Sequence, residues 1–166
     1  MEKILVSACL LGKPVRYDGR HLAVKTSLLD QTLIQWQQEG RVISVCPEVD
    51  AGMSIPRAPA EIFGGNGLEV IAGSAKVVSD EEVDVSAYFV EGASIALALC
   101  QKHNVKIAML TEFSPSCGSS SIYDGQFAGQ KIPGAGVTTA LLQQHGIKVF
   151  SQYELAEASR ALQCLN

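Results

Sequence analysis

Four short apolar, largely β-branched runs punctuate the chain, at Lys3–Ala8, Val42–Val45, Lys106–Leu110 and Ile147–Phe150. Stretches with helical periodicity lie between and after them. About residues 26–39, Leu28, Leu29, Leu33, Ile34 and Trp36 recur at helical spacing, and Gly40 follows as a stop. Asp84–His103 repeats the pattern with Val85, Phe89, Ala93, Ala96, Leu97 and Cys100; Val137–His145, closed by Gly146, and Glu154–Leu162 are two further helices. Apolar strands that alternate with helices have both faces to bury. They assemble as a mostly parallel sheet with helices on both faces, a Rossmann-like α/β domain.

The remaining segments read as connections. Glu48–Gly67 is rich in Gly and Pro and predicts a long loop, of the kind that usually carries function. Leu68–Ile71 and Ala75–Val78 predict a small hairpin around Ala72-Gly73-Ser74, and a polar, Gly-rich loop runs from Thr111 to Gly136. With 166 residues, one domain spanning 1–166 is expected, large enough for a self-supporting core.

Composition narrows the function. Hydrophobic residues make up 47% and charged residues 18%, which excludes intrinsic disorder. No apolar run approaches the roughly 18 residues of a spanning helix, so no membrane partner is expected. No secretory h-region is present, so the expected compartment is the cytoplasm. A net charge of −4 without a basic stripe argues against duplex nucleic acid and leaves a small ligand. Neither G-x-G-x-x-G nor G-x-x-x-x-G-K-[ST] occurs.

In the reducing cytosol five cysteines need an explanation other than disulfides. Cys100 lies inside an amphipathic helix and Cys164 near the end of another; both read as ordinary small apolar residues. Cys9, Cys46 and Cys117 differ. Each follows a predicted strand beside a turn residue, Gly12, Pro47 or Gly118. The C-terminal ends of parallel strands share one edge, where such sheets bind ligands, so three cysteines 37 and 71 residues apart can converge there. No C-x-x-C is present for redox chemistry. Arg16 stands seven residues after Cys9, one too many for a phosphatase loop, and no close cysteine pair suggests a structural zinc. Three soft thiolates without an evident fourth ligand suit an iron–sulfur cluster with one open iron.

Other polar residues fall around these motifs. Glu48, two after Cys46, can turn to the same face and act as a general acid–base; Ser114, three before Cys117, can orient substrate or water. Arg57 and Glu61 read as a pair. His103 and His145 sit at helix C-termini, where they complement the dipole, and His21 lies in a polar loop. A non-catalytic iron–sulfur or zinc-binding sensor using the same three cysteines is the alternative, and it leaves Glu48 and Ser114 idle.

At these residues the sequence resembles the thiouracil desulfurase (desulfidase) family. The matching motifs are Ser7-Ala8-Cys9-Leu10-Leu11-Gly12, Val45-Cys46-Pro47-Glu48, Pro56-Arg57-Ala58-Pro59-Ala60-Glu61 and Ser114-Pro115-Ser116-Cys117-Gly118. Pro133-Gly134-Ala135-Gly136-Val137-Thr138 and Gly146-Ile147-Lys148-Val149-Phe150 match as well, so the resemblance covers essentially the whole chain. Thr111-Glu112-Phe113 departs from the pattern, which leads one to expect a basic residue there. The resemblance implies a [4Fe-4S] cluster held by Cys9, Cys46 and Cys117, whose open iron captures the sulfur of a thiolated pyrimidine. It implies catalytic roles for Glu48 and Ser114, and release of sulfide as the oxo form of the base, nucleoside or nucleotide is produced.

Overall fold

The computed structural model describes residues 1–19 and 27–166; His21 lies outside them. Four strands form the central sheet: β1 (Ile4–Ser7), β2 (Val42–Val45), β5 (Ile107–Met109) and β8 (Lys148–Phe150). Their order is β2-β1-β5-β8 and every pairing is parallel, with Ser7 opposite Val45 and Val6 opposite Met109. These are the four apolar runs of the sequence.

Successive side chains of a strand point to opposite faces, so each strand feeds two cores. Ile4, Val6, Ile107 and Met109 pack with Leu29, Leu33 and Trp36 of α1 (Ser27–Gln38) and with Ala158 and Leu162 of α6 (Leu155–Gln163). On the other face Leu5, Val45 and Ala108 meet Ala96 and Cys100 of α4 (Ser86–Lys102) and Leu142 of α5 (Val137–Gln144). Phe89, Ile107, Leu110 and Leu142 are almost wholly buried, each contributing about 1.5–3 kcal/mol. His103 and His145 are the C-caps of α4 and α5, as their positions predict.

Three expectations change. Leu68–Ile71 is not a strand but the body of α3 (Gly67–Ala72). Asn66 and Glu69 form a reciprocal capping box and Gly73 closes the helix at φ 85°, so end signals outweigh the β-branched Val70 and Ile71. The partner of β4 (Lys76–Ser79) is instead β3 (Ala60–Phe63), antiparallel, inside the segment read as a loop. That segment also opens with a one-turn helix, α2 (Pro47–Asp50), with Pro47 at its first position. The Thr111–Gly136 connection contains a second antiparallel pair, β6 (Ser121–Tyr123) with β7 (Lys131–Pro133). Ile62, Val77 and Ile122 of these small sheets join Val70, Phe89, Ala93 and Val137 in a third core.

Candidate active site at the carboxyl edge of the sheet

Cys9 and Cys46 follow the ends of β1 and β2 within two residues, and Cys117 lies in the loop beyond the end of β5. Cys9 lies on the 3₁₀ turn Ala8–Leu11 that continues β1 and closes at Gly12 in the left-handed region. Cys46 is the N-cap of α2, extended at φ −126°, and its backbone N–H donates to Asp50 Oδ2 at 3.1 Å. Cys117 sits in the turn after β5, which a set of hydrogen bonds holds. Ser114 Oγ accepts from the N–H groups of Ser116 (3.1 Å) and Cys117 (2.9 Å), and Ser114 O accepts from Gly118 N–H at 2.9 Å. From behind, Thr139 Oγ1 donates to Cys117 O at 2.8 Å and Thr138 N–H to Ser116 O at 2.8 Å.

One cavity of about 80 Å³ collects these side chains: Cys9, Cys46, Glu48, Ser114 and Cys117 all line it. Arg57, read as a partner of Glu61 or a ligand contact, lines it too, as do Ser7, Arg16, Tyr17 and Thr111, to which the sequence reading gave no role at this edge. Cys100 lies in the α4 core and Cys164 is exposed; both are outside the cavity. All five cysteines are free thiols. Among the described residues no three His, Cys, Asp or Glu side chains close on a single ion. The three thiols line one cavity instead.

Burial dominates their acidity. It pushes Cys9 up, against the opposing pull of Thr111, whose Oγ1 lies 2.7 Å from Sγ, and of the Arg16 charge. Burial likewise raises Cys46, and it pushes Cys117 up to about 12, with the charge of Glu48 acting in the same direction. Alone, the protein keeps these groups as thiols. A metal that binds them must displace protons.

Glu48 is gripped asymmetrically. Arg57 donates Nε to Glu48 Oε2 at 2.8 Å and brings Nη2 to 2.6 Å from the same oxygen. The remaining guanidinium donors go to Val15 O (3.0 Å) and Ser54 O (3.2 Å). The expected Arg57–Glu61 pair is therefore not formed. Glu61 accepts from the N–H groups of Gly125 (3.0 Å) and Phe127 (3.3 Å), because β3 carries it toward that loop. Glu48 Oε1 has no protein partner among the described residues. Both bonds to Ser114 Oγ use the oxygen as acceptor, which leaves its O–H free to donate.

A larger cavity of about 500 Å³ adjoins the first and shares Arg16, Tyr17, Glu48 and Ser114 with it. Phe113, Tyr123 and Tyr153 supply aromatic walls. Glu112, facing it, is a buried carboxylate with no cation paired to it among the described residues. It accepts from the N–H groups of Ser119, Ser120 and Ser121 at 2.8–3.3 Å and from the hydroxyls of Ser119 and Ser120 at 3.0 Å. Burial alone would raise its pKa; these donors outweigh burial and lower it. No basic residue stands at Thr111–Phe113; on β7, Lys131 Nζ sits 3.7 Å from the Phe113 ring centroid.

Known proteins share this architecture. A solved structure titled [4Fe-4S]-dependent thiouracil desulfidase TudS superposes with a TM-score of 0.86 at 46% identity, covering 99% of each chain. The uncharacterized protein YbbK of Bacillus subtilis (strain 168) is 45% identical over 152 residues, 92% of this chain and 97% of that one. The family described as 2-thiouracil desulfurase matches residues 4–154, from β1 through β8 with all three thiol-bearing strand ends inside the match. The chain belongs to the 2-thiouracil desulfurase family.

Proposed function

We propose that this protein is a [4Fe-4S]-dependent desulfurase that hydrolyses the C=S bond of thiolated pyrimidines, with Cys9, Cys46 and Cys117 holding the cluster. The observation that carries the reading is the single cavity onto which these three thiols, Glu48 and Ser114 all open. The donor set fits the group. Three soft thiols line one cavity; among the described residues no histidine or fourth cysteine lines it, and no trio closes on one ion. When bound, such a cluster supplies an open iron as a Lewis acid toward the substrate sulfur.

The chain's own residues supply the rest. Arg57 fixes one oxygen of Glu48, and the other oxygen takes a proton from water as that water attacks the thiocarbonyl carbon. Ser114, locked by two backbone N–H groups, directs its hydroxyl proton at the ring or the water. A C–O bond forms and the C–S bond breaks. Sulfur departs as hydrogen sulfide, carrying the two protons of the consumed water, and no electron changes hands. A sensor built on the same thiols has no use for a base and a free donor aimed at its metal.

Anaerobic reconstitution with iron and sulfide tests this. A brown protein with about four iron and four acid-labile sulfide per chain that converts 2-thiouracil to uracil is the expected result. A loaded chain inert toward thiopyrimidine bases, nucleosides and nucleotides would sink the enzyme reading. One zinc and no sulfide would sink the cluster.

A further inference from the structure

Among the described residues, Arg16 is the cation at the site that no acceptor engages. It is half-buried and lines both cavities, at their junction with Tyr17, Glu48 and Ser114. Its guanidinium makes no hydrogen bond or ion pair among the described residues. The neighbouring cations are engaged. Arg57 spends its donors on Glu48, Val15 and Ser54, Lys131 stands over the Phe113 ring, and Lys13 donates to Ser44 Oγ at 3.3 Å. A half-buried guanidinium at the junction offers five donors to whatever fills the cavities.

The junction dictates what that ligand offers. A molecule whose sulfur points toward Cys9, Cys46 and Cys117 has its body between the two cavities. There Ser114 contributes a donor and Glu48 an acceptor, so an acceptor on the ligand has Arg16 as its charged partner. In a thiolated pyrimidine the exocyclic oxygen, beyond the imide nitrogen from the thiocarbonyl, is that acceptor. On the desulfurase reading above, we propose that Arg16 is the substrate-orienting residue, donating to the exocyclic oxygen of the pyrimidine and so selecting oxo-thiopyrimidines over thiopyrimidines that lack the oxygen. The proximity of Arg16 to Cys9, whose thiol its charge makes more acidic, names the competing use: neutralising the charge of a bound cluster.

Arg16→Gln and Arg16→Lys in the cluster-loaded enzyme separate the two. Orientation predicts that Arg16→Gln raises KM for 2-thiouracil tenfold to a hundredfold, with kcat changed by less than about threefold. Iron and acid-labile sulfide stay at wild-type levels, and Arg16→Lys recovers part of the affinity. Calorimetric titration with uracil, which needs no turnover, should weaken by the same factor. The preference in kcat/KM for 2-thiouracil over pyrimidine-2-thione should fall at least tenfold in Arg16→Gln. Lost iron or a shifted visible spectrum with unchanged uracil binding assigns the charge to the cluster and overturns the proposal. An unchanged KM and preference overturn it as well. A wild-type enzyme inert toward every thiopyrimidine defeats the desulfurase reading, while uracil titration of the two proteins still decides the fate of Arg16.

Discussion

Glu48 carries both Arg57 contacts on a single oxygen, and that asymmetry determines what substitutions do. Glu48→Gln keeps the shape and the three thiols, so iron content should hold while turnover falls by about 10²-fold or more, the usual size of an acid–base contribution. A turnover equal to wild type would remove Glu48 from the chemistry. The cysteines divide in the same manner. Cys100→Ala should cost only packing, about 1–2 kcal/mol in a denaturant melt, with the cluster retained. Cys117→Ala, made where burial and a fixed turn leave no substitute ligand at hand, should yield protein that reconstitutes with little or no iron. The cysteine pattern was legible because position after a strand is a sequence property. The roles of Arg57 and Glu112 were not. Each depends on a partner brought in by the fold: Arg57 lies nine residues from Glu48, and Glu112 binds a run of serine N–H groups that no motif marks.

At the scale of elements, α5 is the wall against which the Cys117 turn is pressed. A Cβ on Gly136 would stand 2.5–2.7 Å from Ser116 C, Ser116 O and Cys117 N, all backbone atoms that cannot swing aside. Gly136→Ala should therefore destabilise by about 1–3 kcal/mol and lower iron retention at the same time. A melt unchanged from wild type would contradict the close approach. Gly92 plays the same part between α4 and Pro47, the residue before Glu48. These contacts explain why the parallel strands were readable and the small elements were not. A buried strand flanked on both faces announces itself by continuous hydrophobicity. β6 and β7 are three residues each, with Pro133 ending the second, too short for any periodicity to appear. The capping box of α3 is written in the sequence as Asn66-x-x-Glu69, yet Val70 and Ile71 mimic a strand. There end chemistry outranks propensity.

The molecule as a whole has two pH limits set by buried groups. Glu112 is held below its ordinary value of 4.5 in the folded state, so its contribution is complete above that value and is lost as pH falls through the folded one. Cys117 and Cys100 shift the other way, to about 12 and about 11 from an ordinary 9.0. A raised thiol stabilises the fold fully below pH 9.0 and loses that contribution as pH climbs toward the folded value. Urea midpoints of metal-free protein should therefore drop below about pH 4.5 and again above about pH 9. Glu112→Gln should flatten the acid limb and lower the unfolding free energy at pH 7 by about 2–3 kcal/mol, since several donors lose a charged acceptor. An acid limb identical to wild type would show that other carboxylates set it.

The thiols hang from β1, β2 and β5, three neighbours in one sheet whose cysteines are far apart along the chain. No short peptide of this protein holds two of them, so an unfolded or nascent chain offers iron no partial nest. The receptacle exists only once the sheet has closed, and its walls are stapled by bonds that need no metal, such as Arg57 to Glu48 and Thr139 to Cys117. With those thiols as the ligands, maturation is expected to run in the reverse order to that of a zinc finger, whose metal drives its folding. On the cluster reading proposed above, the fold is expected to form first and the inorganic core to be delivered afterwards, so iron-free protein should show the far-UV spectrum of the loaded one.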